Sequence, residues 1–342
     1  MKPLRLTDNR VPVYYAGGRQ ISEFRGNRPV DGPEDWVGSL SALPAAIRPP
    51  HAPPDTGVSR TPAGSLRDLV AADPTGWLGP VVADAFAGQS GLLVKLLDAG
   101  ERLPVHCHPT REFARTHLGS LFGKTEGWIV LRARPGARVW LGLRDPVTAG
   151  DWRAWTAAQN ADAMLAAMND LPVRPGQVLY VPAGLPHAIG PGVLIAELQE
   201  PTSFSVLAEH TAFGVGPEAA TLGLGWDLAL SCFDLAGYAG RLTELTPDPT
   251  VLSRTSGGDL VSLFAPRADT FFRAWQVTCT ETVTLPEASF AVLVVTAGAG
   301  RVAWDGGVLP IVRGDTVVAP YAAGPLRFDG AVTALVCLPP QP

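Results

Sequence analysis

Short apolar segments bounded by glycine and proline recur along most of this chain. Val178–Val181 is one such run, between Gly176 and Pro182, and its length and flanking residues are typical of a β-strand. Four further runs predict strands near the carboxyl end: 290–296, 301–304, 308–312 and Thr316–Ala319. An amino-terminal β segment is expected around 11–15 and Trp36. The pattern therefore predicts a mainly β protein.

Helical spacing interrupts this pattern in two places. Five large apolar residues within 150–170 lie at positions that fit one face of a helix: Trp152, Trp155, Met164, Leu165 and Met168. They predict a helical insertion near 150–170 with a packing face. A second helical stretch is expected over 217–240, and Ser65 is expected to cap a short helix that ends near Ala72. Residues 41–65, rich in proline, alanine and glycine, are expected to form a surface excursion.

Composition excludes several classes of protein. Charged residues make up 17% of the 342 positions and the net charge is −5, without any basic run, so nucleic acid is not an expected partner. No apolar stretch reaches the roughly 18 residues of a membrane span. The first ten residues lack the apolar core of a signal peptide, so a cytoplasmic location is expected. The four cysteines form no C-x-x-C pair, and Cys107 is expected to be a small buried residue.

Half of the six histidines fall where they can form one site. His106 and His108 stand two residues apart, so on a strand both rings point to the same face, and His187 follows a predicted turn. Glu112 and Glu126 are the candidate carboxylates nearby. Three imidazoles and a carboxylate suit one borderline divalent cation, such as zinc or iron.

The two segments that carry these histidines resemble the two sequence motifs of the cupin superfamily. The first motif has glycine, five residues, His-x-His, glutamate and glycine, matched by Gly100, His106, His108, Glu112 and Gly119. The second has glycine, five residues, Pro-x-Gly, two residues and histidine, matched by Gly176, Pro182, Gly184 and His187. Both motifs stand in the expected order. The resemblance implies a cupin, or jelly-roll-like, β-barrel.

A narrower resemblance is to the type I mannose-6-phosphate isomerases, a cupin family. It extends over most of 10–210 and is carried by these segments: DWVGS at 35–39, LLVKLLDA at 92–99, LPVHCHP at 103–109, GKTEGW at 123–128, YVPAGLPHAIG at 180–190 and VLIAELQE at 193–200. This resemblance implies a metal-dependent aldose–ketose isomerase that interconverts mannose 6-phosphate and fructose 6-phosphate through an enediol. The expected partner is thus a small sugar or sugar phosphate.

The same resemblance implies roles for individual residues. The implied metal ligands are His106, where the family usually has glutamine, together with His108, Glu126 and His187. They would hold one zinc ion per chain, with iron or manganese as alternatives. The implied catalytic and substrate-binding residues are Lys95, Lys124 and Glu197.

The local pattern gives independent reasons to single out these three catalytic candidates. Lys95 shares its strand face with apolar neighbours, and a buried lysine is rare unless it is paired or functional. Lys124 stands two residues before Glu126 and shares its face on a strand. Glu197 lies in an apolar strand, where burial raises the pKa of a carboxyl toward the range of a general base. A structural ion pair is the alternative explanation for Lys95.

One departure from the family concerns phosphate recognition. After the strand at 193–200 the family has an arginine at the active site. In this chain the corresponding position falls at about Ser205. A serine cannot replace the charge and fixed donors of a guanidinium. Arg111 and Arg115 are possible substitutes. The alternatives are an isomerase or epimerase for another, unphosphorylated sugar, a non-catalytic sugar-sensing cupin, and an iron dioxygenase, which the GKTE and HAIG segments disfavour.

The expected architecture is two cupin barrels with helical insertions. Residues 1–215 would form the metal-binding domain, 216–258 a helical connector, and 259–342 a degenerate second cupin. Gly314 and Pro320 echo Gly176 and Pro182, but no histidine follows His210, so the second copy has no metal ligands. Its expected role is structural, and the chain is expected to be a monomer or a homodimer.

Overall fold

The computed structural model describes residues 1–342 and consists mainly of antiparallel β-strands. The strands are numbered β1 to β23 in chain order: Leu4–Leu6, Arg10–Val11, Glu34–Val37, Arg60–Thr61, Gly64–Ser65, Leu93–Ala99, His106–Cys107, Glu126–Ala133, Arg138–Leu143, Met168–Pro172, Val178–Val181, His187–Ile189, Val193–Gln199, Val206–Leu207, Thr250–Thr255, Gly258–Ser262, Arg273–Cys279, Thr282–Thr284, Ala291–Trp304, Gly307–Val312, Thr316–Ala319, Arg327–Asp329 and Val332–Leu338. The predicted mainly β class is confirmed.

Short helices connect the strands. The α-helices are numbered α1 to α10: Arg19–Arg25, Leu66–Ala72, Pro74–Leu78, Pro80–Ala85, Arg111–His117, Ala149–Ala157, Ala161–Ala167, Pro217–Ala220, Trp226–Ala229 and Leu242–Leu245. Single turns of 3₁₀-helix occur at Thr211–Phe213, Leu230–Cys232, Ala239–Arg241, Pro266–Ala268 and Tyr321–Ala323. None of these helices is both long and apolar enough to cross a membrane.

The strands form three large sheets and one small hairpin. A six-stranded sheet has the order β11-β8-β13-β6-β3-β2, and a five-stranded sheet has the order β10-β9-β12-β7-β14. A ten-stranded sheet contains β1 and the strands from β15 onward, and β4 pairs with β5 alone. The sheet pairings are antiparallel, with bulges at a few positions.

The six-stranded sheet is buried on both faces, which explains its nearly continuous apolar strands. In β6, Val94 and Leu96 point into a core that also contains Phe272 from the carboxyl-terminal part of the chain. Because side chains alternate along a strand, Lys95 and Leu97 point to the opposite face. That face looks toward the five-stranded sheet, and it carries the candidate catalytic residues.

A second core fills the space between the six-stranded and five-stranded sheets. Trp128 and Ile195 from one sheet meet Leu141 and Ile189 from the other, and all four are almost fully buried. Apolar packing of this kind holds the two sheets at a fixed separation. The candidate site lies between the same two sheets, so its side chains are supported from both sides.

The carboxyl-terminal sheet differs from the sequence prediction in one strand. Two strands were predicted over 290–296 and 301–304, but a single strand, β19, runs through both. Its register shifts between Val295 and Ala297, and Gly298 has a φ of 73°. Such a bulge lets one strand bend and pair with different neighbours in its two halves. The amino-terminal strand β1 pairs with β21 of this sheet. The division into domains at 215 and 258 stays a prediction.

The predicted helix over 150–170 is two helices followed by a strand. Gln159 has a φ of 51°, a left-handed conformation that ends α6, and Asn160 caps α7 by accepting a bond from the Ala163 amide. Met168 then begins β10. Trp152 and Met164 are fully buried, which confirms the expected packing face.

Three smaller predictions have mixed outcomes. The helix after Ser65 is confirmed as α2, although the serine side chain makes no cap bond. The strand expected over 11–15 is limited to β2, because the chain bends at Tyr14 and Tyr15. The helical stretch expected over 217–240 is broken into short turns.

Candidate metal centre and active site

Three buried histidine rings meet between the two sheets. His106 on β7 pairs directly with His187 on β12, and His108 follows two residues after His106. The ring centroids are 4.1 Å apart for His106 and His187, 4.8 Å for His108 and His187, and 5.0 Å for His106 and His108. Their potential ligand atoms lie within 4.8 Å of one another, a group that can hold a metal ion.

Backbone carbonyls fix the orientation of all three rings. Each Nδ1 bonds a carbonyl oxygen at 2.8 Å: His106 to Pro104, His108 to Phe204 and His187 to Leu185. The carbonyl can only accept, so the proton is assigned to Nδ1 and the lone pair to Nε2. Nε2 of His187 is buried and has no hydrogen-bond partner. Hydrogen bonds from Nδ1 to a backbone carbonyl are typical of histidines that bind a metal through Nε2.

Glu126, the first residue of β8, faces the same cluster. Its Oε1 lies 3.0 Å from Nε2 of His108, and its Oε2 lies 3.8 Å from Nε2 of His187. The Trp128 indole donates to Oε2 at 3.0 Å, and the Lys124 ammonium lies 2.9 Å from Oε1 and 3.3 Å from Nε2 of His108. A carboxylate oxygen and an imidazole lone pair repel each other unless a cation lies between them. The donor set therefore fits a metal ion.

The ionisation of these groups also suits metal binding. Burial lowers the pKa of all three histidines, and that of His108, lowered further by Lys124, is about 3. Burial opposes the ionisation of Glu126, but Lys124 and the histidines outweigh it and hold its pKa well below the usual range. Neutral imidazoles and an ionised carboxylate are the forms that bind metals.

A second group of charged side chains lies beside the histidines. These side chains come from the six-stranded sheet. The Lys95 ammonium is 3.2 Å from Oε2 of Glu34 and 3.4 Å from Oε2 of Glu197, and all three residues are buried. Burial and the charge of Glu126 raise the pKa of Glu197 to about 8, although Lys95 acts to lower it. The carboxylates outweigh burial and raise the pKa of Lys95. The pocket therefore contains a basic carboxylate next to a fixed positive charge.

Glu34 belongs to this group, but sequence reasoning did not select it. Its carboxylate accepts bonds of 2.6 Å from the Tyr15 hydroxyl and from the Trp36 indole. Burial raises its pKa, but Lys95 and these two donors outweigh burial and lower it below the ordinary value. A signal was available, because Glu34 stands two residues before Trp36 and alternation along β3 puts both on one face.

The structure brings all seven candidate site residues to one pocket or its immediate wall. Six of them line the pocket itself: His106, Glu126, His187, Lys95, Lys124 and Glu197. His108 does not line the pocket, but its Nε2 lies 3.0 Å from Oε1 of Glu126, which does. Glu112, the other candidate carboxylate, is exposed in the first turn of α5, so the geometry favours Glu126 as the ligand.

Neither arginine of the α5 region lines the pocket. Arg111 forms an ion pair with Glu200 and donates to the Thr270 carbonyl, and Arg115 is exposed. Ser205 does line the pocket, and its hydroxyl is 3.4 Å from Nδ1 of His108. The sequence therefore predicted the position of Ser205 at the site, but neither arginine that it offered as a substitute lies in the pocket.

Comparison with known proteins gives consistent results. A mannose-6-phosphate isomerase from Streptococcus mutans serotype c is 30% identical over 250 residues, which cover 70% of this chain and 71% of that protein. The mannose 6-phosphate isomerase of Bacillus subtilis has a solved structure with a TM-score of 0.74 at 19% identity, over 98% of this chain and 99% of that one. No protein-family model matches the sequence.

A second solved structure is of a mannose 6-phosphate isomerase bound with zinc and yttrium. Its TM-score is 0.74 at 15% identity, and the match covers all of both chains. At these identities the two structural matches bear on the fold alone. They confirm the predicted cupin-type fold.

Proposed function

This chain belongs to the mannose-6-phosphate isomerase family, and we propose that it interconverts mannose 6-phosphate and fructose 6-phosphate in a metal-dependent reaction through an enediol. The observation that supports this most strongly is the adjacency of two groups in one pocket. Three neutral histidines lie together as a group that could hold a metal ion, and Glu126 faces them. The basic carboxylate of Glu197 lies beside it, next to Lys95.

Isomerisation of an aldose to a ketose moves a proton from C2 to C1. Glu197 takes the proton from C2, so that the C2–H bond breaks and a carboxyl O–H bond forms. The same carboxyl then returns the proton to C1, and the hydroxyl proton of O2 passes to O1, so that the C1 carbonyl becomes a hydroxyl and the C2 hydroxyl becomes the ketone. A pKa near 8 suits both steps, because the group is a stronger base than an ordinary carboxylate and still gives the proton up.

Negative charge develops on the sugar oxygens in the enediolate. Lys95 and Lys124 are fixed positive charges on the walls of the same buried pocket, where electrostatic stabilisation is stronger than in water. Glu34 forms an ion pair with Lys95 and holds it in place. Tyr15 and Trp36 donate to Glu34 and so fix the orientation of its carboxylate. Apolar side chains such as Leu97 and Ile189 line the pocket and exclude water from the reacting carbons.

Zinc is the proposed ion, one per chain. His106, His108, His187 and Glu126 would hold it, and imidazole with carboxylate is a donor set that zinc accepts readily, with iron or manganese as alternatives. When bound, a divalent metal supplies Lewis-acid polarisation of the sugar oxygens.

A coupled assay of fructose 6-phosphate formation from mannose 6-phosphate tests the proposal. Zinc-loaded protein should turn over, chelator-treated protein should not, and restoring zinc should restore the rate. Turnover of free mannose alone would support an isomerase for an unphosphorylated sugar. Sugar binding without turnover of either substrate, in folded and metal-loaded protein, would support a sugar-sensing role.

A further inference from the structure

A second cavity adjoins the pocket that contains the histidines. The inner pocket has a volume of about 60 Å³, whereas the outer cavity has about 400 Å³. Six residues line both: Val13, Tyr14, Leu43, Ile47, Ser203 and Ser205. Pockets that enclose small ligands usually have volumes of about 300 to 1,000 Å³. The inner pocket is too small for a whole hexose phosphate, so such a substrate has to extend into the outer cavity.

The inner pocket offers no free positive charge for a phosphate group. Its charged side chains are the carboxylates of Glu34, Glu126 and Glu197 and the ammonium groups of Lys95 and Lys124. Each ammonium already lies within 3.4 Å of a carboxylate. A phosphate placed among these groups would be close to three carboxylates. The phosphate is therefore better accommodated away from the histidines.

The outer cavity contains a single charged side chain, that of Arg48. The other residues that line it are apolar or neutral, among them Ser203 and Ser205 at the boundary with the inner pocket. The Arg48 guanidinium donates only to backbone carbonyls, those of Leu43 at 3.4 Å and Pro54 at 3.1 Å. These contacts hold the group in place, but they do not neutralise its charge.

We infer that Arg48 binds the phosphate of the substrate in the outer cavity, while the reacting end of the sugar lies beside the histidines. A planar guanidinium makes paired, charge-assisted bonds to phosphate oxygens. The apolar side chains around Arg48 lower the local dielectric, which strengthens such bonds. Arg48 comes from the segment between β3 and β4, whereas Ser203 and Ser205 lie between β13 and β14. This inference rests on the proposed function, since it concerns the phosphate of the proposed substrate.

The test compares Arg48→Gln with Arg48→Lys and with the control Arg67→Gln. Arg67 also donates to a backbone carbonyl, that of Leu40, but it lines neither cavity. Steady-state kinetics should show a KM for mannose 6-phosphate at least about tenfold higher in Arg48→Gln, with kcat changed much less. The Lys variant should recover part of the loss, and Arg67→Gln should resemble the wild type.

A binding measurement separates failure of this inference from failure of the proposed function. Calorimetric titration of zinc-loaded protein with mannose 6-phosphate should show affinity at least about tenfold weaker in Arg48→Gln than in the wild type. That difference supports the inference even if no variant turns the sugar over. An unchanged KM together with unchanged binding in Arg48→Gln would overturn it while leaving the isomerase activity established. Absence of binding to the wild type would overturn it as well.

Discussion

Glu197 and Lys95 are register partners on two neighbouring antiparallel strands, and Oε2 of Glu197 lies 3.4 Å from the Lys95 ammonium. Lys95 also lies 3.2 Å from Glu34, so one positive charge serves two buried carboxylates. Oε2 of Glu197 accepts no hydrogen bond. The result is an incompletely stabilised carboxylate, and such a group is a strong base when it is ionised.

Replacing Glu197 by glutamine should therefore abolish most of the activity. The change keeps the shape of the side chain but removes the atom that accepts the proton. We expect kcat for mannose 6-phosphate to fall by about a hundredfold or more, the usual scale for loss of a general base. Glu112→Gln, at an exposed helix position, serves as the control and should leave kcat unchanged. Near-normal turnover by folded, metal-loaded Glu197→Gln protein would exclude this residue as the base.

The pH dependence of the reaction should report the same carboxylate. Only ionised Glu197 accepts a proton, so kcat/KM should rise with pH through the pKa of this group, which is about 8. A bound metal cation favours the ionised form and moves the rise to lower pH. The profile in Glu197→Gln should lack this rise.

Glu34→Gln should shift that profile further toward low pH. The charge of Glu34 raises the pKa of Glu197. Removing it also takes away the carboxylate that lies closest to Lys95 and competes with Glu197 for its charge, and both effects favour the ionised base. The measurement is kcat/KM as a function of pH for the wild type and the variant at matched zinc content. An unmoved midpoint, or one that moves up, would show that the two carboxylates are not coupled through Lys95.

The identity of the carboxylate ligand can be tested without any assay of activity. Glu126→Gln should weaken zinc binding by about tenfold or more, because the uncharged amide no longer balances the cation or fills the position next to Nε2 of His108. Metal content after dialysis against a graded series of chelator concentrations is the measurement. Glu112→Gln should retain zinc as the wild type does. Loss of zinc from the Glu112 variant, with retention in the Glu126 variant, would reverse the assignment.

How far the sequence could predict this site depended on the kind of signal. His106 and His187 were found because the two motifs have fixed spacing, and the strand at Val178–Val181 was found from its flanking turns. Glu34 had only the alternation of β3 as a signal, and its bonds to Tyr15 depend on how the chain bends. Arg48 lies in an irregular segment, whose path over the cavity depends on tertiary contacts that no periodicity encodes.

The contact between the six-stranded sheet and the carboxyl-terminal part should be sensitive to a single added methyl group. A Cβ built on Gly127 in β8 would lie 2.5 Å from the Phe264 ring and 2.7 Å from the Phe272 ring. Both rings are buried in the core that the two parts share, so neither can move aside easily.

Gly127→Ala should therefore destabilise the fold by about 1–3 kcal/mol, the usual cost of overpacking a core. The midpoint of urea unfolding, followed by circular dichroism, measures this directly. Gly240→Ala is the matched control, because a Cβ there meets no atom within 4 Å and its midpoint should stay near that of the wild type. Equal stability of the Gly127 variant and the wild type would mean that Phe264 and Phe272 do not pack tightly on the six-stranded sheet.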